Sequence, residues 1–146
     1  MQFISALVSL ALVASSALAD CLRYDPVYDQ KTGSLSTVAC SNGPNGLLTR
    51  GYKTFGDLPG LPNIGGAAAV TGWNSPACGS CWQLTFTNAG GSKKSINVTA
   101  VDYTASGFNI ALTAMNDLTG GHAVEYGVVS VLSAQVDPTG CGFKPT

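Results

Sequence analysis

Charge is what this sequence has least of. Only 10% of its 146 residues are charged, and the formal net charge is -1. The basic residues, Arg23, Lys31, Arg50, Lys53, Lys93, Lys94 and Lys144, are scattered, with one doublet beside a Gly-Gly-Ser turn. Nucleic-acid binding rests on a clustered basic face, so this chain is not expected to take DNA or RNA as a partner. Histidine is almost absent. His122 stands alone, in Gly120-Gly121-His122-Ala123, and no second CxxC accompanies Cys78-Gly79-Ser80-Cys81. That set falls short of a structural zinc site, and neither a metal nor an organic cofactor is expected. A catalytic triad would have to use His122 as its base, yet no serine or cysteine lies in a nucleophile-elbow motif. No linker, internal repeat or low-complexity block divides the chain, whose length suits one domain. Beyond the first residues, no apolar run is long enough to span a bilayer.

What is present begins with a secretory leader. Residues 3–14 are almost wholly apolar, and Ala17-Leu18-Ala19 fits the small-x-small cleavage pattern. The expected organisation is a signal peptide over 1–19 and one domain over 20–146. Export makes disulfides the default state of the five cysteines, Cys21, Cys40, Cys78, Cys81 and Cys141. An odd number leaves one over, and Cys21 is the natural one, either free or bridged to another molecule. In an exported chain with no βαβ pattern, the CxxC reads as two sulfurs anchoring two different staples.

Gly and Pro recur at short intervals, as in folds made of short strands and turns. Residues 82–87 and 95–102 each alternate apolar and polar, and Ala89-Gly90-Gly91-Ser92 joins them as a hairpin. Residues 65–71 and 127–136 read as further strands. Residues 109–118 read as a helix capped by Asn109 and ended by Gly120-Gly121. The sum is a mainly β fold with one short helix, a small barrel.

Several side chains are candidates for chemistry. Asp102 shares strand parity with Ile96, Val98 and Ala100, so it is expected on their apolar side or at its rim. A carboxylate there either lines a cleft or is held by loop amides. Asp25 precedes Pro26 and suits a turn. Trp73 lies in a loop and offers a flat indole, whereas Trp82 alternates with Leu84 and Phe86 and belongs to the core. Tyr103 falls on the parity opposite to Asp102. Asn97-Val98-Thr99 is a sequon that makes Asn97 a glycosylation candidate.

Many stretches, in order along the chain, resemble the cerato-platanin family. They are Tyr24-Asp25 with Val27-Tyr28-Asp29, Gly33-Ser34-Leu35-Ser36-Thr37-Val38-Ala39-Cys40, Gly43-Pro44-Asn45-Gly46-Leu47 and Thr54-Phe55-Gly56-Asp57-Leu58-Pro59. Pro62-Asn63-Ile64-Gly65-Gly66, Val70-Thr71-Gly72-Trp73-Asn74-Ser75-Pro76, residues 78–84 and Phe108-Asn109-Ile110-Ala111-Leu112 complete the set. The resemblance implies a six-stranded double-ψ β-barrel with short helices and two disulfides, Cys40 with Cys78 and Cys81 with Cys141. Cys21 departs from that four-cysteine pattern. Members look like secreted or wall-associated fungal proteins that bind chitin fragments, loosen cellulose-type material as expansins do, self-assemble at interfaces and elicit host defence, some being allergens. The partners so implied are chitin or glucan oligosaccharides and a host immune receptor; Cys21, outside the family pattern, adds self-association as a separate expectation. The expected sugar-contacting set is Asp25, Trp73, Asn74, Asp102, Tyr103 and Asn109. Related barrels that cleave glucan carry an aspartic acid where Asn109 stands, and an amide cannot act as the general acid of an inverting glycosidase. The resemblance therefore implies binding without hydrolysis. The rival readings are a weak glycoside hydrolase using Asp102 with Asp25, and a surface-active wall protein.

Overall fold

The computed structural model describes residues 17–146. Six strands, β1 (Leu18–Tyr24), β2 (Ile64–Ala67), β3 (Cys81–Thr87), β4 (Lys93–Tyr103), β5 (Phe108–Ile110) and β6 (Val129–Val136), close into a barrel of order β1-β5-β2-β4-β3-β6. The expected six-stranded β architecture is what forms. Its backbone is the β3–β4 hairpin, in register from Cys81 opposite Thr99 to Thr87 opposite Lys93. The alternation of residues 82–87 explains it. Trp82 faces Val98 and Leu84 faces Ile96, which places apolar side chains on the inner surface. β6 adds antiparallel to β3, and β1 then pairs with β6 on one edge and β5 on the other, which removes every open edge. Two pairings, β1–β5 and β2–β4, are parallel.

Most of the leader expected over 1–19 lies outside the described residues. Its last two residues, Leu18 and Ala19, open β1 opposite Ser133 and Leu132. β2 stops at Ala67, short of the expected 65–71, because residues 68–71 leave the sheet as a turn. The helix α1 runs Leu112–Thr119, three residues later than expected at its start. Asn109 does not cap it but sits inside β5. The cap comes from a distant residue: Asp29 accepts the backbone N–H of Leu112 at 2.8 Å and of Thr113 at 3.0 Å. A carboxylate there satisfies orphan helix donors and favours the positive end of the helix. Gly120, at φ 69°, ends α1 as expected, and a four-residue α2 (Ala123–Tyr126) follows.

The chain between β1 and β2 is a long excursion over the outer surface of the barrel. It has its own buried side chains, Tyr28, Leu35, Leu47, Phe55 and Leu58, with the Tyr28 and Phe55 rings 6.1 Å apart. Both expected disulfides are present, Cys40–Cys78 and Cys81–Cys141, spanning 38 and 60 positions. The first fastens the excursion to the segment entering β3, and the second ties β3 to the chain's last turn. By loop closure each stabilises by roughly 4 kcal/mol.

Candidate functional site

The site is set by one irregularity. β2 and β4 run parallel with Gly65 opposite Ala100, but Gly66 opposite Asp102, so Val101 is an extra residue in β4. Each residue of a strand points to the face opposite its neighbour, and one inserted residue reverses the rest. The parity argument placed Asp102 with Ile96, Val98 and Ala100. The bulge at Val101 instead turns Asp102 to the outer face, and this corrects the expectation. Gly66 also pairs with Asn109, and Asn109 with Arg23. Arg23, Asn109, Gly66 and Asp102 therefore form one row across β1, β5, β2 and β4. Their neighbours Leu22, Phe108 and Ile110 are buried inside, while Arg23 is exposed and Asn109 and Asp102 are half-buried. Three strand spacings separate the ends of the row, about 14 Å. A side chain at position 66 would press on the Tyr103 carbonyl oxygen (3.1 Å) and the Thr104 Cβ (3.3 Å), so glycine lets the chain leaving β4 close over this point.

Asp102 is heavily engaged. Its Oδ1 accepts the N–H of Ala39 at 3.0 Å and its own neighbour Tyr103 at 2.9 Å, and its Oδ2 accepts the Tyr28 hydroxyl at 2.8 Å. It joins the rim of the barrel to the excursion at two places. Burial, then the bond to Asp102 and the charges of Asp102 and Asp25, push the Tyr28 phenol far above its usual range. Tyr28 thus remains a donor at every working pH. Asp25 lies close enough to act on the same phenol, and its Oδ1 caps a short 3-10 turn by accepting the Val27 N–H at 3.0 Å. Tyr103 is 53% exposed beside Asp102. The structure therefore gathers Asp25, Asp102, Tyr103 and Asn109 at one end of the barrel.

Trp73 and Asn74 belong to a neighbouring cluster. Trp73 is 62% exposed, yet its indole N–H is donated to Asn42 Oδ1 at 2.6 Å. Gly43, at φ 85°, allows this approach, because a Cβ there would lie 3.0 Å from the indole Cζ2. Asn74 adopts φ 59°, and its Oδ1 and main-chain oxygen accept the backbone N–H and the side-chain amide of Asn45, at 2.9 and 3.0 Å. Two loops are thereby fixed to each other, with Cys40–Cys78 between them. The result is an exposed flat indole anchored through its only donor. Asn42 is also three residues from Ala39, the partner of Asp102, so the two clusters adjoin through one short loop.

Sequence reasoning missed Arg23, Asn42, Asn45 and Asp29. No local pattern marks the first, because its place in the row depends on the parallel pairing of Arg23 with Asn109, far apart in the chain. The sequon residue Asn97 is half-buried and donates its amide to the Gly140 carbonyl at 2.9 Å, and Thr99 is fully buried. His122 is exposed and contacts Glu125 at 2.8 Å. Cys21 carries no disulfide, and its sulfur lies 3.7 Å from Arg23 Nη1 and 3.8 Å from Ser106 Oγ. Among the described residues, no helix is long and apolar enough to cross a membrane.

Comparison with known proteins bears on the fold and the family. The cerato-platanin family pattern matches residues 21–143. Allergen Asp f 15 of Aspergillus fumigatus is 44% identical over 147 aligned positions, covering 96% of this chain and 93% of that protein. The crystal structure of cerato-platanin 1 from M. perniciosa superposes with a TM-score of 0.81 at 48% identity, covering 84% of this chain and 98% of the other. The solution structure of the fungal elicitor Cerato-Platanin does so with a TM-score of 0.72 at 42% identity, covering 83% and 95%. With the pattern matched across both disulfides and all but the first residues of β1, this chain belongs to the cerato-platanin family.

Proposed function

We propose that this protein is a secreted, non-catalytic binder of cell-wall polysaccharide, with chitin or glucan chains as ligands, expansin-like loosening of the wall as a consequence, and elicitation of host defence as a further outcome. The observation that carries the reading is Trp73. A buried indole stabilises a core, and a mobile one costs entropy on binding. This one is exposed and already fixed through its N–H, so it offers a preorganised face for a pyranose ring. The amide nitrogen of Asn74, whose oxygen is taken by Asn45, and the Asn109 amide, with the carboxylates of Asp25 and Asp102 and the Tyr103 hydroxyl, supply donors and acceptors to sugar hydroxyls and acetamides. Two arguments favour binding over hydrolysis. Asn109 is an amide where a proton donor is required, and Asp25 and Asp102 both accept structural hydrogen bonds.

The test sets sedimentation with chitin beside a reducing-sugar assay on cello- and chito-oligosaccharides. The expected result is co-sedimentation that Trp73→Ala weakens about tenfold or more, with no reducing ends released. Turnover by the purified protein that Asp102→Asn abolishes would overturn the non-catalytic reading. A second reading, self-assembly at surfaces, is favoured by the exposed apolar side chains Val124, Val128 and Leu132. Surface-tension measurements with Val124→Ser and Leu132→Ser would test it, a loss of activity being expected.

A further inference from the structure

We infer that Arg23 is a specificity-determining residue of the outer row and selects N-acetylated over unsubstituted sugar chains, an inference that rests on the polysaccharide reading above. The row has a chemical direction. Arg23 at one end carries only donors, Asn109 in the middle carries both kinds of group, and Asp102 at the far end carries only acceptors. Arg23 faces Asn109 directly across β1 and β5, and both point away from the core.

The Arg23 guanidinium is open to a ligand. Among the described residues the ion pairs are Lys94–Asp117 and His122–Glu125, and Arg23 is in neither. The one hydrogen bond it makes is a weak contact of 3.7 Å to the Cys21 sulfur. An exposed guanidinium beside an amide is suited to an acceptor-only oxygen. An acetamide carbonyl is such a group, and a charged donor makes the stronger bond with it. A sugar hydroxyl is both donor and acceptor and gains less from a group that can only donate. The acetamide also brings a methyl group, and the soft, half-buried Cys21 sulfur beside Arg23 gives it an apolar neighbour.

Isothermal titration with chitohexaose and cellohexaose, on wild type, Arg23→Gln and Arg23→Lys, tests the assignment, with thermal unfolding confirming that each variant folds. Arg23→Gln is expected to weaken chitohexaose binding about tenfold or more and to leave cellohexaose binding within twofold, so that the ratio between the two ligands collapses. Arg23→Lys is expected to keep part of that ratio. Equal losses for both ligands, or no loss for chitohexaose, would overturn the role of Arg23. Failure of wild type to bind either hexamer would instead overturn the polysaccharide reading on which it stands.

Discussion

Removing the Asp102 carboxylate is the sharpest perturbation the structure offers. Asp102→Ala deletes three hydrogen bonds at once, to the Ala39 and Tyr103 amides and the Tyr28 hydroxyl. Hydrogen bonds to a charged group each contribute about 1.5–3 kcal/mol, and a buried hydroxyl left without a partner costs about 1–3 kcal/mol. The three share one carboxylate and are not additive, so the expected loss is about 3–5 kcal/mol. That is a large part of the stability of a domain of this size, roughly 5–15 kcal/mol, and should lower Tm by roughly 10–15 °C. Asp102→Asn is the control. Its amide oxygen can still accept from Ala39 and Tyr103, and its nitrogen can donate to the Tyr28 oxygen, so the expected loss is about 1 kcal/mol. Urea unfolding followed by fluorescence reads all three proteins, and Tyr28→Phe completes a double-mutant cycle with expected coupling of about 1 kcal/mol or more. If Asp102→Ala unfolds within about 1 kcal/mol of wild type, the carboxylate does not hold the excursion to the barrel and the account of this site fails.

Three other outcomes are expected. Asp57 and Asp137 are held below the usual carboxylate range, chiefly by the backbone N–H of Thr54 and of Thr139 respectively, so each is more acidic folded than unfolded. Their stabilisation is present above the ordinary aspartate pKa of about 4 and is lost as pH falls through the lowered values; urea midpoints should drop over that range, and Asp57→Asn should flatten the drop. Non-reducing gels should show any covalent dimer vanish in Cys21→Ser, and an unchanged dimer band would exonerate Cys21. Asn109→Asp places a carboxyl two strands from Asp102 in the row, with Gly66 between them; under the proposed reading it is the variant expected to release reducing ends from chito-oligosaccharide, and hydrolysis already present in wild type would contradict the reading.

Local patterns in the chain were readable and long-range register was not. The β3–β4 hairpin could be read because alternation and a Gly-Gly turn lie within twenty residues. The pairing of four cysteines followed from resemblance to a family, not from their spacing. α1 was placed early because Asn109 looks like a cap, and nothing near it in sequence reveals that Asp29 performs that task from across the fold. The face of Asp102 was misassigned for a related reason: a bulge is a property of two paired strands, and β4 alone shows unbroken alternation. β1 and β5 were missed. The first lies at the boundary expected for the leader, and the second has three residues whose strand character comes from the neighbours on either side. Trp73 was read as a loop aromatic, but its rigidity depends on Asn42 and Gly43, thirty residues upstream.

The seam between β1 and β6 has a consequence for the order in which this molecule can be built. β1 is made first, yet the strand that pairs with it along most of its length, β6, ends at Val136. At roughly 5–20 residues per second, on the order of 5–20 s of synthesis separates the two strands. Through that interval the β6-facing edge of β1 is unpaired, and Cys81 waits likewise for Cys141. Closure is therefore a late, all-at-once event that needs nearly the complete chain, and a chain interrupted before β6 has no barrel to fall back on.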